Sequence, residues 1–175
     1  DQSVLDELNS FVNKYEEWII QQQKLSAKES DDEKDTAGRI IKQMLITKQR
    51  MKKGLNLLSE DLCAKRSFSI MNQAMLIQMR GSLCDPANLE TSTYNWRPFQ
   101  LAFILSVLES TINEDSDFRD VVDLIWFPTG GGKTEAYLGL MAFLFAYRRQ
   151  KYSASSGGTI AIMRYTLRLL TTQQF

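Results

Sequence analysis

Phe127-Pro128-Thr129-Gly130-Gly131-Gly132-Lys133-Thr134 lies between an unbroken apolar run, Val121 to Phe127, and a helix-forming run, Glu135 to Arg149. A turn whose backbone N–H groups converge on an oligophosphate needs residues without a Cβ at its tightest points and a helix N-terminus behind it. Gly130, Gly131 and Gly132 supply that turn, and Thr129 belongs to the same cradle. Lys133 would set a compact cation on the β- and γ-phosphates, and the Thr134 hydroxyl would complete the coordination of a Mg²⁺ bridging the same oxygens. Lys133 and Thr134 are therefore the candidate catalytic residues, Thr134 the candidate Mg²⁺ ligand, and ATP the expected cofactor. The strict pattern G-x-x-x-x-G-K-[ST] has Gly where Phe127 stands, so the match is to a looser form of the loop.

Around this loop the pattern is that of an α/β unit. Val121–Phe127 has the length and apolarity of a buried strand, and Leu138, Leu140, Phe143, Leu144 and Phe145 make the following helix apolar almost all round, as the centre of a parallel sheet requires. A Ser-Gly turn, Ser153 to Gly158, leads to a second apolar run, Thr159 to Met163, and from Leu167 to a further helix. Strand, helix and strand form a βαβ unit, whose crossover is expected to be right-handed.

Upstream the periodicity is helical. Val4, Leu8, Phe11, Tyr15 and Trp18, with Val12 and Ile19 beside them, give a helix over about residues 3 to 27. The charged stretch Lys28 to Thr36 reads as a solvated connection. Ala37, Ile40, Ile41, Met44, Leu45, Met51, Leu55 and Leu58 then form the stripe of a second helix, and Lys48, Arg50, Lys52 and Lys53 read as its solvated side, since no aromatic interleaves the charges. A third helix, about 60 to 80, carries Ala64, Phe68, Met71, Met75 and Met79 on one face, with methionine as core filler. Gly81 caps it, and Cys84 to Thr93 is a loop. A fourth helix starts at Pro98, carries Leu101, Ile104, Leu105 and Leu108, and ends near Asn113 before an acidic turn, Glu114 to Asp117. The division expected is a helical region, 1–90, followed by the first part of a nucleotide-binding α/β domain, 91–175.

The chain of 175 residues carries 21 basic and 21 acidic residues, so any nucleic-acid contact must come from a local surface. It has no histidine, which excludes imidazole catalysis and His-ligated metal within these residues. Cys63 and Cys84 are too few for a zinc site and read as small buried thiols of a reducing cytosol. No apolar stretch approaches the length of a membrane span, so no membrane association is expected. The start at Asp1 and the stop at Phe175 within a helical pattern are expected to mark a segment of a longer protein.

Two further motifs stand at informative distances. Trp96-Arg97-Pro98-Phe99-Gln100 lies about thirty residues before the loop, and Thr166-Leu167-Arg168-Leu169-Leu170-Thr171-Thr172-Gln173 follows the second apolar run. The three motifs in this order resemble the first half of the first RecA-like domain of a superfamily 2 helicase, over about residues 95 to 175. That resemblance implies a RecA-like parallel sheet, with Gln100 reading adenine through a carboxamide that accepts from the exocyclic amine and donates to N7, and Arg97 or a neighbouring aromatic stacking on the base. It also implies that Thr166, Arg168 and Gln173 hold the DNA backbone, with Thr166 and Leu167 in place of the Pro and Thr of P-T-R-x-L-x-x-Q. Trp126 to Leu140 and Met163 to Leu170 further resemble the helicase-like component of the DISARM anti-phage systems of bacteria. This narrower likeness implies a bacterial cytoplasmic protein that binds DNA, hydrolyses ATP and works with the partner DrmB. The acidic D-E-x-[HD] element of superfamily 2 hydrolysis does not follow the loop in these residues; the acidic pairs Asp32-Glu33 and Glu60-Asp61 lie upstream. This fragment by itself is therefore expected to bind nucleotide weakly and not to turn it over. The alternatives are the motor subunit of a restriction system, which shares the same three motifs, and a nucleotide-gated scaffold in which ATP closes a clamp without translocation.

Overall fold

The structure, a computed structural model, describes residues 2–28, 30–81, 95–128 and 130–164. Five α-helices succeed one another along them: α1 (Gln2–Ser26), α2 (Asp31–Glu60), α3 (Leu62–Gly81), α4 (Pro98–Ile112) and α5 (Lys133–Tyr152), the last ending in a 3-10 turn at Ser153–Ser155. No strand occurs among the described residues, so the expected α/β architecture, a RecA-like parallel sheet preceded by helices, is corrected to helix packed on helix.

The reason lies in what a strand requires. A strand persists through a hydrogen-bond ladder with a neighbour about 4.8 Å away. The backbone bond made by Val121–Phe127 among the described residues is a turn contact, Val121 N–H to Phe118 O at 3.2 Å. Thr159–Met163, the second expected strand, is irregular chain as well, and the right-handed βαβ crossover does not form. The apolar run before the loop lies in the open, with Val122 93%, Leu124 87% and Trp126 87% exposed.

The buried centre is α4 instead. Ile104, Leu105 and Leu108 have no exposed surface, and Val107, Ser106 and Ser110 are buried around them. A Cβ on Gly54 of α2 would run into the carbonyl oxygen of Leu105, so α2 and α4 meet backbone against backbone. Met51, Leu55 and Leu58 of α2 join Leu5, Leu8 and Val12 of α1 and Ala64, Phe68, Met71 and Met75 of α3 in one core with Phe143 and Tyr147 of α5. Apart from Leu5, the core members named from α1, α2 and α3 belong to the helical stripes read from the sequence, whereas Val4, Trp18, Ile40 and Leu45, from the same stripes, stay exposed.

α2 begins earlier than its apolar stripe. Ser30 caps it, with its N–H and Oγ both donating to Glu33 Oε2, so most of the supposed connection Lys28–Thr36 is helix. Asp61 caps α3 through Oδ1, which accepts the N–H groups of Cys63 and Ala64 at 2.7 and 3.0 Å. Its Oδ2 accepts the Tyr147 hydroxyl at 3.0 Å, and Lys151 donates to that same hydroxyl at 2.8 Å, which locks α3 to α5. Cys63 is a half-buried free thiol; Cys84 and the loop Cys84–Thr93 lie outside the described residues. Among the described residues no helix is long and apolar enough to cross a membrane.

Lys48, Arg50, Lys52 and Lys53 of α2 are all paired, Lys52 while still exposed and Arg50 while buried. Lys48 and Lys52 both reach Glu16 of α1, at 2.9 and 3.0 Å, and their hydrogen bonds hold its carboxyl below the ordinary range. Lys53 pairs with Asp117 at 3.1 Å. Arg50 is only 7% exposed and forks onto Asp123.

Candidate phosphate-binding site

The loop is closed on itself. Gly131 N–H donates to Pro128 O at 3.1 Å, making the turn, and Gly132 caps α5 with φ +88°. That left-handed conformation and its surroundings both demand glycine at 132: a Cβ there would lie 2.6 Å from Gln100 Nε2. At Gly131 a Cβ would strike the Phe127 ring and Pro128 O. At these two positions the space a side chain would fill is thus taken by the walls of the cradle, whereas a Cβ on Gly130 would meet open space.

Lys133, the first residue of α5, turns back across the loop. Its Nζ donates to Phe127 O at 2.5 Å and to Pro128 O at 3.1 Å, tying the exit of the loop to its entrance. An ammonium has three donors, so one remains for an anionic oxygen. Thr134 stands next in the first turn of α5, half-buried. The N-terminal N–H groups and dipole of α5 face the loop, the arrangement that favours a phosphate. Thr129 lies outside the described residues.

The Arg97–Gln100 motif reaches the loop from the start of α4. Arg97 donates from a guanidinium nitrogen to Gly131 O at 2.7 Å, and Gln100 Nε2 donates to Gly132 O at 2.6 Å. Gln100 Oε1 in turn accepts Arg97 N–H at 2.8 Å, which orients the carboxamide. Gln100 is 3% exposed. Here both residues clasp loop carbonyls, and each end of the Gln100 carboxamide retains one unused position, a proton on Nε2 and a lone pair on Oε1.

Three contributors escaped the sequence reading. Phe127, which departs from the strict loop pattern, stacks on Phe99 with ring centroids 4.0 Å apart. Trp96 donates from Nε1 to Asn72 Oδ1 at 2.7 Å and lies so close over Gly139 that a Cβ there would meet its ring at 2.7 Å, fixing α5 against α3 and the motif. Glu135 places Oε2 in a position shut from solvent and without a hydrogen-bond partner. Aromatic residues flanking both motifs were the available signal for the first two. Glu135 left none. The expected DNA-backbone residues Thr166, Arg168 and Gln173 lie outside the described residues.

These residues fit a nucleoside triphosphate with Mg²⁺: the loop is walled where a Cβ on Gly131 or Gly132 would sit, its lysine lies across it, and a helix N-terminus backs it. Among the described residues no group of acidic, Cys or His side chains forms a metal site of its own.

No family model matches the chain. In an alignment 187 positions long that covers 97% of the chain, it is 43% identical to the DISARM protein DrmA of Bacillus paralicheniformis. It spans 16% of that protein's length.

Proposed function

We propose, from this likeness to a DISARM protein, that the chain is the nucleotide-binding part of a bacterial anti-phage defence protein that couples MgATP to helicase or translocase action on DNA in the cytoplasm. The observation that carries the nucleotide reading is Lys133 bridging Phe127 O and Pro128 O, because it holds the loop in the closed form that an oligophosphate enters. Lys133 keeps one N–H for a phosphate oxygen, the glycine loop and α5 offer backbone N–H groups, and the Thr134 hydroxyl is the ligand offered to Mg²⁺. Bound MgATP would supply the phosphoryl-transfer free energy. Arg97 and Gln100 hold the loop carbonyls, and the free proton and lone pair of Gln100 are the pair that adenine would use. Thr166, Arg168 and Gln173 are assigned to the DNA backbone, and DrmB to the protein partner, on the resemblance alone.

The test is MgATP binding and hydrolysis by the full-length protein, with and without DNA, beside Lys133→Ala. Loss of a charge-assisted contact of this kind costs about 1.5–3 kcal/mol, so the variant is expected to bind roughly ten- to hundredfold more weakly and to lose DNA-stimulated turnover. Equal affinity in both proteins would reject the phosphate-loop reading. Binding without DNA-stimulated turnover would replace the motor with a nucleotide-gated scaffold.

A further inference from the structure

Helix α2 reaches the chain that leads into the loop through an ion pair buried on its Arg50 side, and that junction carries an inference resting on the nucleotide-binding reading above. Between α4 and the loop the chain runs as a strap, Asn113 to Phe127, with turns up to Asp120 and irregular chain beyond. Arg119 fastens its first part by donating to Ser110 O and Thr111 O at the end of α4. Among the described residues no backbone hydrogen bond holds Val122 to Trp126, and the side chains of Val122, Leu124 and Trp126 stand in the open.

Asp123, between them, is tied. Arg50 of α2 donates to both its oxygens, at 2.5 and 2.7 Å, a fork that fixes position as well as charge. The same guanidinium lies 5.0 Å from the centre of the Phe118 ring, and Lys53 approaches that ring at 5.1 Å, so the strap is gripped twice from one turn of α2. Arg50 Nε is shut from solvent with no partner of its own. A guanidinium held this way at 7% exposure cannot shed its carboxylate without leaving a buried charge unpaired. Four residues beyond Asp123 comes Phe127, whose carbonyl takes the Lys133 ammonium. Four residues of extended chain reach about 14 Å at most, so fixing Asp123 confines where the Phe127 and Pro128 carbonyls can lie.

We propose that Arg50 and Asp123 are positioning residues for the nucleotide site: α2 sets the affinity of the phosphate loop by anchoring the strap that delivers its entrance. The coupling is reciprocal, so occupation of the loop also steadies the strap.

The experiment is MgATP titration by calorimetry on the full-length protein, well below the melting temperature of each variant. Asp123→Asn is expected to weaken MgATP binding by about five- to tenfold, the low end of ordinary coupling between sites. Asp123→Glu, which keeps a carboxylate for the Arg50 fork, is expected to recover most of that loss. Lys48→Ala, on the same helix but paired to Glu16 and away from the strap, is expected to leave affinity unchanged. A merely structural ion pair would lower the melting temperature in Asp123→Asn and leave affinity at wild-type level, and that result would overturn the proposal. So would a Lys48→Ala loss as large as that of Asp123→Asn. Should Asp123→Asn fail to fold, hydrogen exchange on the wild-type protein decides: MgATP is expected to slow exchange of the Val122 to Leu124 amides, and unchanged exchange in a protein that binds MgATP overturns the coupling. Absence of MgATP binding in the wild type would reject the nucleotide reading itself, and this inference with it.

Discussion

Two stretches joined by one peptide bond behave in opposite ways. Phe127–Lys133 is closed by its own glycines, its lysine and the Arg97–Gln100 clasp, whereas Val121–Trp126, far more apolar, is mostly exposed and lacks a ladder. A closed glycine loop of this kind is specified by neighbours within a few residues and one clasp. A strand is specified by a partner edge, which no property of the run itself can provide.

The comparison can be broken most severely at Gly132. Alanine there must take φ +88° and meet Gln100 Nε2, so Gly132→Ala is expected to cost about 1–3 kcal/mol in urea unfolding. A cost below about 0.5 kcal/mol would mean that the loop is less firmly closed than its clasp implies. Next in size, Phe99→Ala removes the ring on which Phe127 stacks and is expected to cost about 1 kcal/mol or somewhat more, with weakened nucleotide binding. Stability lost without any change in affinity would separate the stack from the loop.

A smaller effect is expected at the other end of the helix that starts in the loop. Burial lifts the Tyr147 hydroxyl above its ordinary 10.0, and the hydrogen bond to Tyr147 lifts Lys151 above 10.5. Folded values above unfolded ones mean that both contributions are whole below about pH 10 and fade as pH climbs through the raised values. The alkaline limb of a stability profile is therefore expected to be shallower in Tyr147→Phe than in wild type. Smallest of all, Leu124→Ser is expected to change stability by no more than about 0.5 kcal/mol, because the side chain is 87% exposed. A loss beyond 1 kcal/mol on the urea curve would put Leu124 in a buried setting and erase the contrast with the loop.

What the sequence disclosed follows the same division. The helical stripes of Leu8–Val12, Met51–Leu58 and Ala64–Met75 were legible because a helix makes its hydrogen bonds within itself and only its apolar face looks outward. Arg97, Gln100 and the glycine loop were legible as a constellation through their spacing, and the structure brings them together. Val121–Phe127 was misread because apolarity records a preference for burial, not the neighbour that grants it. Arg50 was misread as solvent-facing because its carboxylate lies 73 residues away in the chain. The start of α2 was written in Ser30 and Glu33 but was masked by the charges between and around them.

The packing of Trp96 over Gly139 has an optical consequence. Of the three tryptophans, Trp96 adjoins the Arg97 clasp and Trp126 adjoins Phe127, while Trp18 stacks on Tyr15 on α1. The loop is thus flanked by two indoles in unlike surroundings, one hydrogen-bonded and wedged between helices, the other 87% open to water. Their emission differs in colour and in access to a collisional quencher, so with Trp18 replaced by Phe the protein carries its own pair of unlabelled reporters at the loop's two approaches.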